Sequence, residues 1–79
     1  MHYDEITDYK STLQELIQGD LRKTVTYVLL STTGPANAPE FMVAAVMDDM
    51  RLGVGKGTSK KRAEQQAAKD ALNKLAKGD

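Results

Sequence analysis

The C-terminal part of this 79-residue chain carries Ala63, Ala67, Ala68, Ala71, Leu72 and Leu75 at helical spacing, in a run rich in Ala, Lys, Gln and Leu. Such a stripe predicts a helix from an N-cap at Ser59 to about Lys77. Its small side chains let the helix sit close on a neighbour, and its one apolar face has to be buried. The remainder of the chain must therefore supply a surface for it.

Asp8 is placed to cap an earlier helix running through Tyr9 to Gln18, and Gly19 suits the left-handed position that ends one. Tyr9, Leu13, Leu16 and Ile17 fall at i, i+4, i+7 and i+8, a second buried stripe. Residues 20–23 read as a polar connection. Thr24–Ser31 and Phe41–Met47 are β-branched and apolar, and Arg51–Gly55 is a short third strand. The loop Gly34-Pro35-Ala36-Asn37-Ala38-Pro39 carries two prolines that no central strand would accept, and Asp48-Asp49 marks a tight turn. Three consecutive strands with short connections form an antiparallel meander. The expected fold class is α+β, in the order α-β-β-β-α, with a three-stranded antiparallel sheet and two helices packed on one face. Ala44 and Val46 then alternate to the other face, where they would form a modest apolar patch.

Composition narrows the chemistry. The chain has no cysteine and no tryptophan, and its one histidine is His2. Disulfides, thiolate metal sites and cysteine nucleophiles are thereby excluded, and a reducing, cytoplasmic setting is the expectation. No apolar run approaches membrane-spanning length, so no membrane partner is expected. The net charge of 0 conceals a gradient. Residues 1–50 hold three basic and eight acidic side chains, and residues 51–79 hold eight basic and three acidic. The second half is a local cation of the kind that faces a polyanion.

The sharpest part of that cation is Gly53-Val54-Gly55-Lys56-Gly57-Thr58-Ser59-Lys60-Lys61, a glycine-rich approach to a basic helix start. A helix N-terminus attracts anions through its unpaired amides, so phosphate is the expected guest of Lys60 and Lys61. On a helical wheel both lysines lie near the buried direction, at roughly 0° and 100°, which requires this end of the helix to project past the sheet. Arg62, at about 200°, points elsewhere. Glu64 is spaced to neutralise or to hold the two lysines. On the first helix Ser11, Gln14, Glu15 and Gln18 cluster opposite the buried stripe. Amides and hydroxyls both donate and accept, as reading 2′-hydroxyls in a shallow RNA minor groove requires.

Taken together, Asp8 to Leu16, Tyr27 through Gly34-Pro35-Ala36-Asn37 to Phe41, and Gly53 to Ala68 resemble a double-stranded RNA-binding domain, most closely the one at the C-terminus of bacterial ribonuclease III. The resemblance spans roughly residues 7–76, with domain limits at 8–77, a linker or added remnant at 1–7 and a tail at 78–79. It implies sequence-tolerant binding of A-form RNA over about 16 base pairs. Ser11, Gln14, Glu15 and Gln18 would meet one minor groove, the loop with Pro35 and Asn37 the next, and Lys60 and Lys61 the phosphates between. The chain departs from the family pattern at Asn37, where histidine is usual, at Ala38-Pro39-Glu40, where lysines are frequent, at Glu64, where a base is common, and at Asp49, where a turn glycine is usual.

No arrangement of side chains supplies a nucleophile with a base or a set of metal ligands, so no catalytic residue, metal site or cofactor is expected in this segment. The resemblance implies that a longer parent would be a Mg²⁺-dependent endonuclease for duplex RNA, with its metal in a separate catalytic domain and a homodimer formed through that domain. The competing reading is a protein-protein or dimerisation module of the same fold with a degenerate RNA surface, which the zero net charge and Asn37 favour.

Overall fold

The structure, a computed structural model, describes residues 8–76. The expected linker at 1–7, the tail at 78–79 and the helix end at Lys77 lie outside the described residues. Five elements follow one another: α1 (Tyr9–Leu21), β1 (Thr26–Thr33), β2 (Glu40–Met47), β3 (Met50–Gly57) and α2 (Lys60–Ala76). The strands form one antiparallel sheet in the order β1-β2-β3. The expected fold class is the one observed.

The strands turn where the sequence places the turn. Met47 pairs with Met50 across Asp48 and Asp49, whose φ values of 51° and 66° give the left-handed pair that a two-residue hairpin needs. Aspartate tolerates that region better than most residues, which is how the turn forms without glycine. Lys23 Nζ then meets Asp48 Oδ2 at 2.6 Å and ties the α1-β1 connector to this hairpin.

The core lies between the helices and one face of the sheet, with Tyr9, Leu13, Ile17, Val25, Val43, Ala45 and Leu52 among its members. The glycines of β3 let the sheet and α2 approach closely. A Cβ on Gly53 would stand 2.5 Å from the Ala71 amide nitrogen and one on Gly57 2.7 Å from that of Ala63, while Gly55 lies as closely against Ala67. Two strand residues advance about 6.6 Å and four helical residues about 6.0 Å, so alternate glycines match every fourth alanine. Backbone lies on backbone along this track. The register slips at Ala45/Val46, where β3 carries Leu52 as an extra residue, and this bulge turns Leu52 into the core beside Gly53.

Four expectations at the edges of these elements are corrected. The α1 helix continues through Gly19, and Arg22 takes the left-handed C-cap at φ 55°, its N–H bonding Gln18 O at 3.0 Å. Leu16 and Leu75, expected in the buried stripes, are 38% and 40% exposed and border a shallow apolar groove with Leu21. Leu75 lies one turn beyond Ala71, the last helical residue over the glycine track, and so has no strand beneath it. Ala44, expected on an exposed patch, is buried between its cross-strand partners Val28 and Val54. Strand β1 runs two residues further along than expected, from Thr26 to Thr33.

Candidate nucleic-acid interface

The start of α2 leaves backbone donors and lysine side chains unengaged. Ser59 Oγ accepts from the Arg62 N–H at 3.1 Å and Ser59 O from the Ala63 N–H at 2.9 Å, which leaves the first amides of the helix for water or a ligand. No acidic side chain lies in the first turn. Lys60 and Lys61 are exposed, and neither forms an ion pair among the described residues. Both project past the sheet as expected, because β3 ends at Gly57 under Ala63.

Glu64 does not act on these lysines through an ion pair. Its carboxylate binds Lys10 Nζ of α1 at 2.6 Å, and the same ammonium stands 4.9 Å from the centre of the Tyr27 ring. Lys60 and Lys61 are therefore left without an ion-pair partner among the described residues. Arg62, which the helical wheel sent elsewhere, lines one depression with Lys56, Thr58 and Lys61. A wheel angle records where Cβ leaves the helix, but the depression wraps around the helix end, so a long side chain in the first turn still borders it. Lys56, named in the sequence only as part of the glycine-rich approach to the helix, borders the same depression.

The N-terminus of α1 is fastened to this same region. Gln65 Oε1 accepts from the Tyr9 N–H at 2.7 Å and the Lys10 N–H at 3.3 Å, while Gln65 Nε2 donates to Asp8 Oδ1 at 3.2 Å. Asp8 also accepts from the Ser11 amide at 3.2 Å and the Ser11 hydroxyl at 2.5 Å. The Ser11 hydroxyl, then the Gln65 amide, then the Ser11 N–H hold the Asp8 carboxyl below the usual carboxylate value. Tyr27 lies beneath, its hydroxyl buried without a hydrogen-bond partner among the described residues. Burial first, then the charges of Glu64 and Asp8, push it up to about 12.

The sequence-selected residues divide accordingly. Ser11, Glu15 and Gln18 are exposed on α1. Gln14 is half-buried and engaged at both ends of its amide: Oε1 accepts from the Val25 N–H at 3.1 Å and Nε2 donates to Lys23 O at 3.3 Å. It holds the connector to α1 in place. Pro35 and Asn37 lie in an exposed loop closed by Ala38 N–H donating to Pro35 O at 3.0 Å. Gly34 opens that loop at φ 88°, a conformation that favours glycine, with Ala38 O where a Cβ would go. The structure brings two of the three regions into contact and the third to the same end of the sheet. Ser11 and Lys61 line one depression with Asp8, Lys10 and Gln65. Phe41 pairs with Gly57, so the Pro35–Asn37 loop leaves the sheet at the end where α2 begins.

A two-helix, three-stranded domain with a clustered basic helix start defines a polyanion-binding module, and comparison with known proteins supplies the class. Residues 9–75 match the family model for the double-stranded RNA binding motif. Ribonuclease 3 of Streptococcus mutans is 49% identical over 77 residues, covering 98% of this chain and 33% of that protein. Ribonuclease 3 of Bacillus cereus is 49% identical over 73 residues, covering 92% of this chain and 30% of that protein. A structure of Arabidopsis HYL1 superposes with a TM-score of 0.72 at 34% identity, covering 86% of this chain and 96% of that one.

The chain belongs to the double-stranded RNA binding motif family. It is a double-stranded RNA-binding domain homologous to that of bacterial ribonuclease III, and the competing reading as a dimerisation module is not favoured. The chain spans about a third of the length of these curated relatives. Among the described residues no group of three His, Cys, Asp or Glu side chains is placed to hold a metal ion, and no helix is long and apolar enough to cross a membrane.

Proposed function

We propose that the domain grips A-form RNA at one end of its sheet. Ser11, Gln14, Glu15 and Gln18 of α1 face one minor groove, Pro35 and Asn37 the next, and Lys60 and Lys61 the phosphates of the major groove between them. The observation that carries this reading is the depression shared by Ser11 and Lys61, which sets a hydrogen-bonding group of α1 beside a lysine of α2 that forms no ion pair among the described residues. Hydroxyl and amide groups read 2′-hydroxyls, while ammonium groups release counterions from phosphates. Gln14 takes part only through the capacity its two internal bonds leave free.

The longer protein to which such a domain belongs is a ribonuclease III-type endonuclease, for which this chain holds the duplex. Identity of 49% over 77 residues to Ribonuclease 3 of Streptococcus mutans supports that reading. Cytoplasmic location, a homodimer and Mg²⁺ chemistry belong to the same proposal and concern a catalytic domain. The described residues hold no metal-ligand cluster, so the chemistry of Mg²⁺ would lie outside this segment.

Lys60→Ala with Lys61→Ala tests the clamp. The double variant is expected to bind all duplex RNA sequences more weakly, with the slope of log K against log salt shallower by about 2. Affinity and slope both equal to those of the parent chain would contradict the assignment.

A further inference from the structure

The far end of α1 breaks two local rules at once. Gly19 lies inside the helix, where alanine is the more stabilising choice, and the site of a Cβ there is open, with nothing within 4 Å. Three residues on, Arg22 occupies the left-handed C-cap at φ 55°, a position that favours glycine. For stability alone the two residue types stand in each other's places. The helix dipole accounts for a cation at position 22 but not for a bare backbone at position 19.

Both deviations converge on one spot. Glu15, Gln18, Gly19 and Arg22 line a single open cup on α1, continuous with the exposed face assigned above to a minor groove. Arg22 has no ion-pair partner among the described residues. Departures from local stability rules are expected at functional or strained sites. A missing side chain suits close approach by an external backbone, and a free guanidinium suits phosphate.

We propose that this cup is a further RNA contact, resting on the duplex-binding reading: Gly19 admits a ribose-phosphate edge against the α1 backbone while Arg22 binds the phosphate beside it. The contact extends the minor-groove face along α1, away from the α2 lysines.

The test uses the 79-residue chain and a duplex RNA longer than the about 16 base pairs such a domain spans. Gly19→Ala is expected to raise Tm by a few degrees through helix propensity and yet weaken binding by roughly threefold to tenfold, the loss of one contact. Arg22→Gly retains the fold, because glycine suits the cap, and makes the salt slope shallower by about 1. Lys60→Ala with Lys61→Ala is measured beside them. If that variant binds weakly while Gly19→Ala and Arg22→Gly bind like the parent, the cup is overturned and the duplex reading stands. If all three bind like the parent, the duplex reading itself fails. A lowered Tm in Gly19→Ala would also overturn the inference, by showing that the fold requires the glycine.

Discussion

Asp8 shows how a single side chain joins the fold to the interface. Its role as a helix cap is legible in the sequence, because the capping bond to the Ser11 amide is local. The bond it receives from Gln65 is not, since Gln65 lies 57 residues away and looks like any polar helical residue. The same limit explains Gln14 and Glu64, whose partners Val25 and Lys10 are brought near only by the fold. The hydrogen bonds to Asp8 favour its charged form and hold its pKa below the unfolded value. A depressed carboxylate contributes stability that is present above the unfolded pKa, about 4, and is lost as pH falls through the lower folded value. Asp8→Asn removes that contribution, so its stability is expected to fall less steeply than the parent's below about pH 4. Urea melts between pH 2 and pH 6 check this, and parallel acid limbs would contradict it.

The elements were largely readable, for reasons that differ from one to the next. Two stripes of helical period, two β-branched runs and the short segment Arg51–Gly55 specify order and type, and the Asp48-Asp49 turn then leaves an antiparallel meander as the simple connection. Helix ends are set by weaker preferences, which is why α1 passes through Gly19 and stops at Arg22. Glycine before a basic helix start is common to phosphate loops and to close packing, so the packing role of Gly53, Gly55 and Gly57 becomes legible only once α2 is in place. The structure makes the packing role testable. Gly55→Ala drives a methyl into the backbone at Ala67, with no flexible side chain to yield, and is expected to destabilise the domain by about 3 kcal/mol or more. Urea denaturation measures it, and a loss well under 1 kcal/mol would contradict the backbone-on-backbone track.

At the scale of the whole molecule, the two helices run side by side with their N-termini together. Gln65 joins them at one end and the groove of Leu16, Leu21, Leu72 and Leu75 lies at the other. This arrangement sets Lys60 and Lys61, unpaired among the described residues, at one end of the sheet in a chain with net charge 0, so the overall charge is a poor guide and the gradient a better one. The central claim is that this end fits A-form geometry. The direct test is a pair of titrations at one salt concentration, with a duplex of about 20 base pairs as RNA and the same sequence as DNA. The account predicts saturable binding to the RNA and much weaker binding to the DNA. Equal affinity for both, or no affinity for the RNA, would contradict it.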